Sequence, residues 1–390
     1  MNMLESSRKR IIDEFLSLVA IDAPSFQERG VADYIRKELI DLGFTVEEDE
    51  SGNVFGSDTG NIYAYKKGNL EGTPLLFSAH MDTVQPGIGK KAIVHPDGRI
   101  TSDGTTVLGA DDLSGVVAIL EALRIARDEK IELRDIELLF TIGEEVYLKG
   151  SEVFDYKKIQ AKEAYVLDLC GPIGTCAIQA PTLLAFEVAI HGKSAHAGFA
   201  PETGINAIAI AGKIIGEIKQ GRLDDETTFN IGTITGGSGT NIVSDLCTFK
   251  GEIRSLNHDT TLSELKKLEN FIGEKIAEYN RENQGNEGNQ DNEEKATYTL
   301  TTSFGCVAYK VAKEDSVVLR HGEICQKLGV EADYITTFGG SDNNNFLLHG
   351  IQGVVLACGM EQVHTTKEYT EIDSLLKSTE IVLELMKSKR

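Results

Sequence analysis

Between Leu75 and Asp168 the chain alternates short, continuously apolar runs with stretches of helical periodicity, and that alternation restricts the fold more than any other feature. PLLFSAHMD has the character of a buried strand and ends in polar residues. LGADDLSGVVAILEALRIA opens with an apolar turn and continues with apolar residues at helical spacing, with Asp112 or Ser114 placed to cap it. DIELLFTIGEE is a second apolar strand ending in acids, and EAYVLDL repeats the form. Strands apolar on both faces and alternating with helices predict an α/β fold, with a mostly parallel sheet covered on both sides.

The middle of the chain changes character. LLAFEVAIHG reads as strand, INAIAIAGKIIGEI as helix, TTFNIGTI and LCTFKGEIRSL as strands, LSELKKLENFIGEKIAEYN as helix and KATYTLTTSF as strand. That β-α-β-β-α-β order predicts a ferredoxin-like α+β domain, inserted at about 181–303. The α/β pattern then resumes with SVVLRHGEICQKLGV as helix, GVVLACGM as strand and SLLKSTEIVLELMKS as a closing helix. The expected catalytic domain is therefore split, about 1–180 and 304–390. The polar, apolar-free stretch 281–295 is expected to be a mobile hairpin tip of the insertion.

Composition excludes several partners. The formal net charge of −22 argues against nucleic acid and anionic lipid, both of which select basic patches. No apolar run reaches the roughly 18 residues that a membrane helix needs. The N-terminal MNMLESSRKRIIDEF lacks the apolar core and cleavage site of a secretion signal, so the cytoplasm is the expected compartment. Cys170, Cys176, Cys247, Cys306, Cys325 and Cys358 include no CxxC pair and read as free thiols.

The chemistry lies at strand ends. His80, Asp82, Glu144, Glu145 and Asp168 each sit at or just beyond the carboxyl end of an apolar strand, Asp111 and Asp112 stand just before a helix, and His364 follows GVVLACGMEQV. Open α/β sheets bind ligands outside the carboxyl ends of their strands, so these residues are predicted to converge on one rim. The adjacent acid pairs Asp111–Asp112 and Glu144–Glu145 repel unless a cation lies between them. Imidazole with carboxylate suits zinc, and also cobalt or manganese. Two divalent ions would neutralise the pairs and leave one carboxylate free as a base. His80 and Asp82 are two residues apart in extended chain and face the same side, so Asp82 can support the imidazole from behind.

Taken in order, AHMDTVQPG, GADDLSG, TIGEEVYLKGS, VLDLCGPIG, HGKSAHAG, GGSDNNNF and HTTKE resemble the motifs of the M20 metallopeptidases, and within them the peptidase T-like branch of tripeptide aminopeptidases. The resemblance spans nearly the whole chain. It implies a zinc-peptidase-like catalytic domain with an inserted dimerisation or lid domain, acting on short peptides as a homodimer. It further implies that His80 and Asp168 bind one zinc ion, that Glu145 and His364 bind the other, and that Asp111 bridges both. Asp82 supports His80, and Glu144 is the general base. His196, in KSAHAG, is expected to reach a neighbouring subunit's site and stabilise the oxyanion. Asn241 and Arg254 match positions that grip the substrate's terminal carboxylate, a task suited to an arginine fork. The resemblance also implies a cis Asp111–Asp112 peptide bond. His95, His191, His258, His321 and His349 lack this context and read as structural or exposed.

The chain departs from the family pattern at Leu113, where lysine is frequent, and at Tyr147 and Asn344, where glycine is usual. These positions bear on subsite shape rather than on the ligands or the base. Two other readings accompany the peptidase. One is an M20-type amidohydrolase or carboxypeptidase acting on N-acyl amino acids. The other is a catalytically silent binding protein on the same fold.

Overall fold

The apolar runs read from the sequence form the centre of one sheet. In the computed structural model, which describes residues 3–283 and 295–389, the chain divides into two compact units. One comprises the described parts of 1–180 and 309–390, and the other is Pro181–Ala308. The inserted unit runs past residue 303 because its last strand, Thr297–Cys306, continues pairing with Thr182–His191 as far as Cys306. Most of the polar 281–295 stretch, residues 284–294, lies outside the described residues.

In the first unit, four neighbouring strands run parallel in the order Ile136–Thr141, Leu75–His80, Glu163–Cys170 and Gln352–Glu361. Ile136–Thr141 and Leu75–His80 are buried at every position, which is why they read as unbroken apolar text rather than as an alternation. The flanks are antiparallel. Thr45–Glu48 and Ile62–Lys66 extend one side, while Tyr369–Glu371, Arg99–Ser102 and Ala92–Val94 extend the other. The whole is a mixed sheet of twelve strands among the described residues.

The helix Ala110–Asp128 packs across this sheet and is buried from Ala110 to Ala126. Its first turn is irregular, with Asp111 at ψ 103° and Asp112 at φ −119°. The regular helix starts after them, and Asp112 Oδ1 accepts the Gly115 N–H at 3.1 Å, the capping role read from the sequence. At the far end Arg124 pairs with Glu14 and Glu38, which ties this helix to Met3–Val19 and Arg29–Asp41. The strand ends therefore meet a helix start that is fixed from both ends.

The inserted unit is a five-stranded antiparallel sheet, ordered Gly221–Asp224, Thr227–Gly236, Leu246–Ser255, Thr182–His191 and Thr297–Cys306. The helices Ala207–Glu217 and His258–Glu282 pack on it, capped by Asn206 and Asn257. Setting aside the short edge strand 221–224, the order of the remaining four is that of a ferredoxin-like domain. A two-stranded ribbon, Ala195–His196 against Ile242–Val243, projects beyond the sheet end where His191 faces Leu246. No described helix is long and apolar enough to cross a membrane.

Candidate metal centre and active site

The parallel strands deliver their carboxyl ends to one place. His80 ends its strand, Asp168 lies near the end of the next, and Glu144, Glu145 and His364 lie in the turns that follow two more. Asp111 sits between two imidazoles. Its Oδ1 lies 2.9 Å from His80 Nε2 and its Oδ2 lies 3.2 Å from His364 Nε2. His80 Nε2 is 3.9 Å from Asp168 Oδ1, and His364 Nε2 is 3.0 Å from Glu145 Oε1. Two three-donor clusters result, His80–Asp111–Asp168 and Asp111–Glu145–His364, with Asp111 common to both. The donors are imidazole nitrogen and carboxylate oxygen without thiolate, the set that suits zinc, cobalt or manganese.

Electrostatics agrees with that donor set. Burial, and then the charge of Asp168, push the Glu144 carboxyl well above the ordinary range. Burial and Asp111 do the same to Asp168. Burial would also raise Asp111, but hydrogen bonds with His364 and His80 hold it below the usual carboxylate range. Hydrogen bonds with Asp111 and Glu145 push His364 up to about 10. Carboxylates so crowded are difficult to ionise together without cations among them.

A layer of acids behind the site fixes its backbone. His80 Nδ1 lies 2.9 Å from the main-chain carbonyl of Asp82 and 3.4 Å from that residue's carboxylate, which leaves Nε2 facing the cluster. The Asp82 carboxylate accepts the N–H groups of Glu144 at 3.0 Å and Glu145 at 3.3 Å, and the Ser25 hydroxyl at 2.6 Å. Asp112 accepts the His80 N–H, and Cys358 Sγ donates to it at 3.7 Å. The Asp111–Asp112 peptide bond is cis.

Three further acids carry no role in the sequence reading. Glu368, in HTTKE, is 1% exposed and accepts three main-chain N–H groups, from Leu108 at 2.7 Å, Gly109 at 2.8 Å and Asp111 at 2.9 Å. Glu28 accepts the Gly143 N–H at 2.9 Å, just before the two glutamates. Burial pushes both carboxyls up to about 7. Asp342 accepts the hydroxyls of Thr141 and Ser151, both at 2.5 Å. Glu368 and Asp342 lie inside motifs singled out from the sequence, HTTKE and GGSDNNNF, without a role read for either; Glu28 left no such signal. Asn344 lies buried in a capping box with Ser341. Tyr147 is exposed and holds φ 74°, a conformation that favours glycine, two residues after Glu145.

In the inserted unit the structure brings His196 and Asn241 together. The strand Ala195–His196 pairs with Ile242–Val243, Asn241 directly precedes the latter, and the Ala197 N–H donates to the Asn241 carbonyl at 3.0 Å. Arg254 lies elsewhere. Leu246 faces His191 and Arg254 faces Leu183, so Arg254 is eight residues further along, roughly 26 Å at about 3.3 Å per residue. Its guanidinium binds Glu252 at 2.8 Å. Within one copy of the unit, Asn241 and Arg254 thus stand far apart along the strand. Of the remaining histidines, His321 is buried, which lowers it to about 4, and His349 stacks on Tyr156.

Comparison with known proteins agrees with this geometry. Residues 180–280 match the peptidase dimerisation domain model of the M20 family, and residues 61–212 match that of peptidase family M28. The uncharacterised protein YqjE of Bacillus subtilis is 37% identical, covering 97% of this chain and 98% of that one. A tripeptidase of Staphylococcus aureus has a TM-score of 0.88 at 33% identity, and the aminopeptidase PepT of Bacillus cereus has 0.85 at 35%. Each alignment covers 97% of this chain and 98% of the other. The chain belongs to the M20 family of peptidases, in its peptidase T-like branch. It is a peptidase of a metal-dependent family, and its clustered donors fit that chemistry.

The three amides held by Glu368 position Asp111 in this M20 peptidase. Replacing Glu368 by Gln is expected to leave the fold intact and weaken metal retention by about 10- to 100-fold, the usual range for a group that orients a ligand. Competition against a graded chelator reads this directly; unchanged retention would mean that the 108–111 loop is held by other contacts.

Proposed function

We propose that the protein is a dinuclear zinc aminopeptidase that hydrolyses short peptides, tripeptides foremost, as a homodimer paired through the inserted unit. The observation that carries the reading is Asp111, whose two carboxylate oxygens face two separate imidazoles. In this reading His80 and Asp168 hold one ion, Glu145 and His364 hold the other, and Asp111 is shared; cobalt or manganese fits the same donors. Bound there, the ions would polarise the peptide carbonyl and acidify water.

The chain's own residues do the rest. Glu144, with its main chain fixed on Asp82 and no place in either donor cluster, is the base. It takes a proton from the attacking water and delivers one to the leaving amine. His196 donates a hydrogen bond to the tetrahedral oxyanion. Asn241 and Arg254 hold the substrate's terminal carboxylate. The separation of Asn241 from Arg254 in one copy supports a site assembled from two copies, His196 and Asn241 from one and Arg254 from the other. Exposed Ile208, Ile234, Ile242 and Leu246 offer the inserted unit an apolar face for pairing, and two-fold pairing is the commonest symmetry among oligomers. The peptide reading over N-acyl substrates draws on the likeness to a tripeptidase and an aminopeptidase at 33% and 35% identity.

Zinc-loaded protein incubated with dipeptides, tripeptides and N-acyl amino acids, read by mass spectrometry, should release the first residue of tripeptides fastest. Preferred cleavage of N-acyl amino acids would replace this reading with the amidohydrolase one. Glu144→Gln should keep metal and fold while the rate drops by about two to four decades; near-normal turnover would remove Glu144 from the role.

The trans role of His196 has its own test. Inactive Glu144→Gln chains and inactive His196→Ala chains, mixed under conditions of demonstrated subunit exchange, should regain activity, because one site in each mixed dimer has both groups. Persistent inactivity after exchange would place His196 in cis or outside catalysis.

A further inference from the structure

The Phe199 ring is 86% exposed, more than any other large apolar side chain among the described residues. Single exposed apolar residues are ordinary, but Phe199 differs in how it is attached. Its ring lies tilted against the His196 imidazole, with centroids 4.3 Å apart and planes inclined by 36°. Its main-chain N–H donates to His196 Nδ1 at 3.2 Å, and the Gly198 N–H donates to the same atom at 3.1 Å. Nδ1 is therefore the acceptor, so the proton of the neutral ring sits on Nε2, the nitrogen left free to donate. The ring contact and the main-chain hydrogen bonds from Gly198 and Phe199 fix the imidazole of His196 against the Phe199 ring.

This has a geometric consequence that rests on the proposed role of His196. If Nε2 lies at hydrogen-bond distance, about 3 Å, from the oxygen of the scissile carbonyl, the Phe199 ring is carried to the same bond. It then stands roughly 6 Å from that oxygen, because the hydrogen bond lies in the imidazole plane and the phenyl ring lies over its face, and that is the distance of a flanking side chain. The residues around it are Ala197, Gly198 and Ala200, too small to fill that space themselves.

We propose that Phe199 is a specificity-determining residue, which packs against the substrate side chain flanking the scissile bond and selects apolar over acidic peptides. It supplies an apolar wall beside the hydrogen-bond donor, and the substrate side chain covers a ring that otherwise faces water. Pairing of two copies of this chain is the competing explanation for an exposed ring, and it predicts a different response.

The test uses the full-length, metal-loaded protein with Phe199→Ala, Phe199→Leu and His196→Ala. Substrates are the pairs Leu-Gly-Gly with Asp-Gly-Gly and Gly-Leu-Gly with Gly-Asp-Gly. The expected result is that the leucine-over-aspartate ratio of kcat/KM falls about tenfold in at least one pair for Phe199→Ala, within the range of an apolar subsite contact. Phe199→Leu should recover most of it, and sedimentation should show an unchanged oligomer. An equal loss on all four peptides would mean that Phe199 only steadies His196, and overturns the proposal. So would a change in oligomer with the ratio intact. If His196→Ala leaves kcat unchanged, the oxyanion role fails and the proposal falls with it; loss in His196→Ala with an unshifted ratio in Phe199→Ala overturns the specificity role alone.

Discussion

Repulsion among carboxylates at one rim of the sheet is the constraint around which the catalytic unit is arranged. Asp111, Asp112, Glu144, Glu145 and Asp168 come from three different chain segments and meet where water is largely excluded. Burial and mutual repulsion raise most of them, and the imidazoles of His80 and His364 stand among them to offset the charge. Such a cluster is unfavourable in itself. Cations among the acids would offset that repulsion, and the fold holds the acids together at one place.

That holding is done by other acids accepting main-chain N–H groups. Asp82 takes those of Glu144 and Glu145, Glu28 that of Gly143, Asp112 that of His80, and Glu368 those of Leu108, Gly109 and Asp111. Hydrogen bonds to charged acceptors are stronger than neutral ones and set loop geometry closely. The donors of the metal clusters thus stand on backbone that is itself pinned. Hydrolytic chemistry benefits from that preorganisation, since the groups need not rearrange as charge develops.

Much of this was legible in the sequence, and the reason is local. His80, Glu144, Glu145 and Asp168 terminate apolar runs, so placing the strands places the side chains, and Asp112 precedes a helix that Asp112 or Ser114 was expected to cap. The ferredoxin-like order of the insertion was equally readable, because each of its elements has its own periodicity. What stayed hidden depends on pairings between distant segments. Glu368 reaches an amide 260 residues away in sequence, and no spacing encodes that. The antiparallel flanks formed by Tyr369–Glu371, Arg99–Ser102 and Ala92–Val94 are short strands with weak alternation. Asn241 and Arg254 lie 13 positions apart in sequence and looked like partners; the long strand Leu246–Ser255 separates them.

Asp111 belongs to both donor clusters, so two ions bound there as proposed would be interdependent. Metal content measured by elemental analysis on reconstituted wild-type and Asp111→Asn protein, with hydrolysis assayed on the same samples, tests it most directly. Close to two equivalents per chain are expected in the wild type, and weakened retention of both ions together with lost activity in the variant. A fully active wild type that holds a single equivalent, or a variant that still keeps both ions tightly, would contradict it.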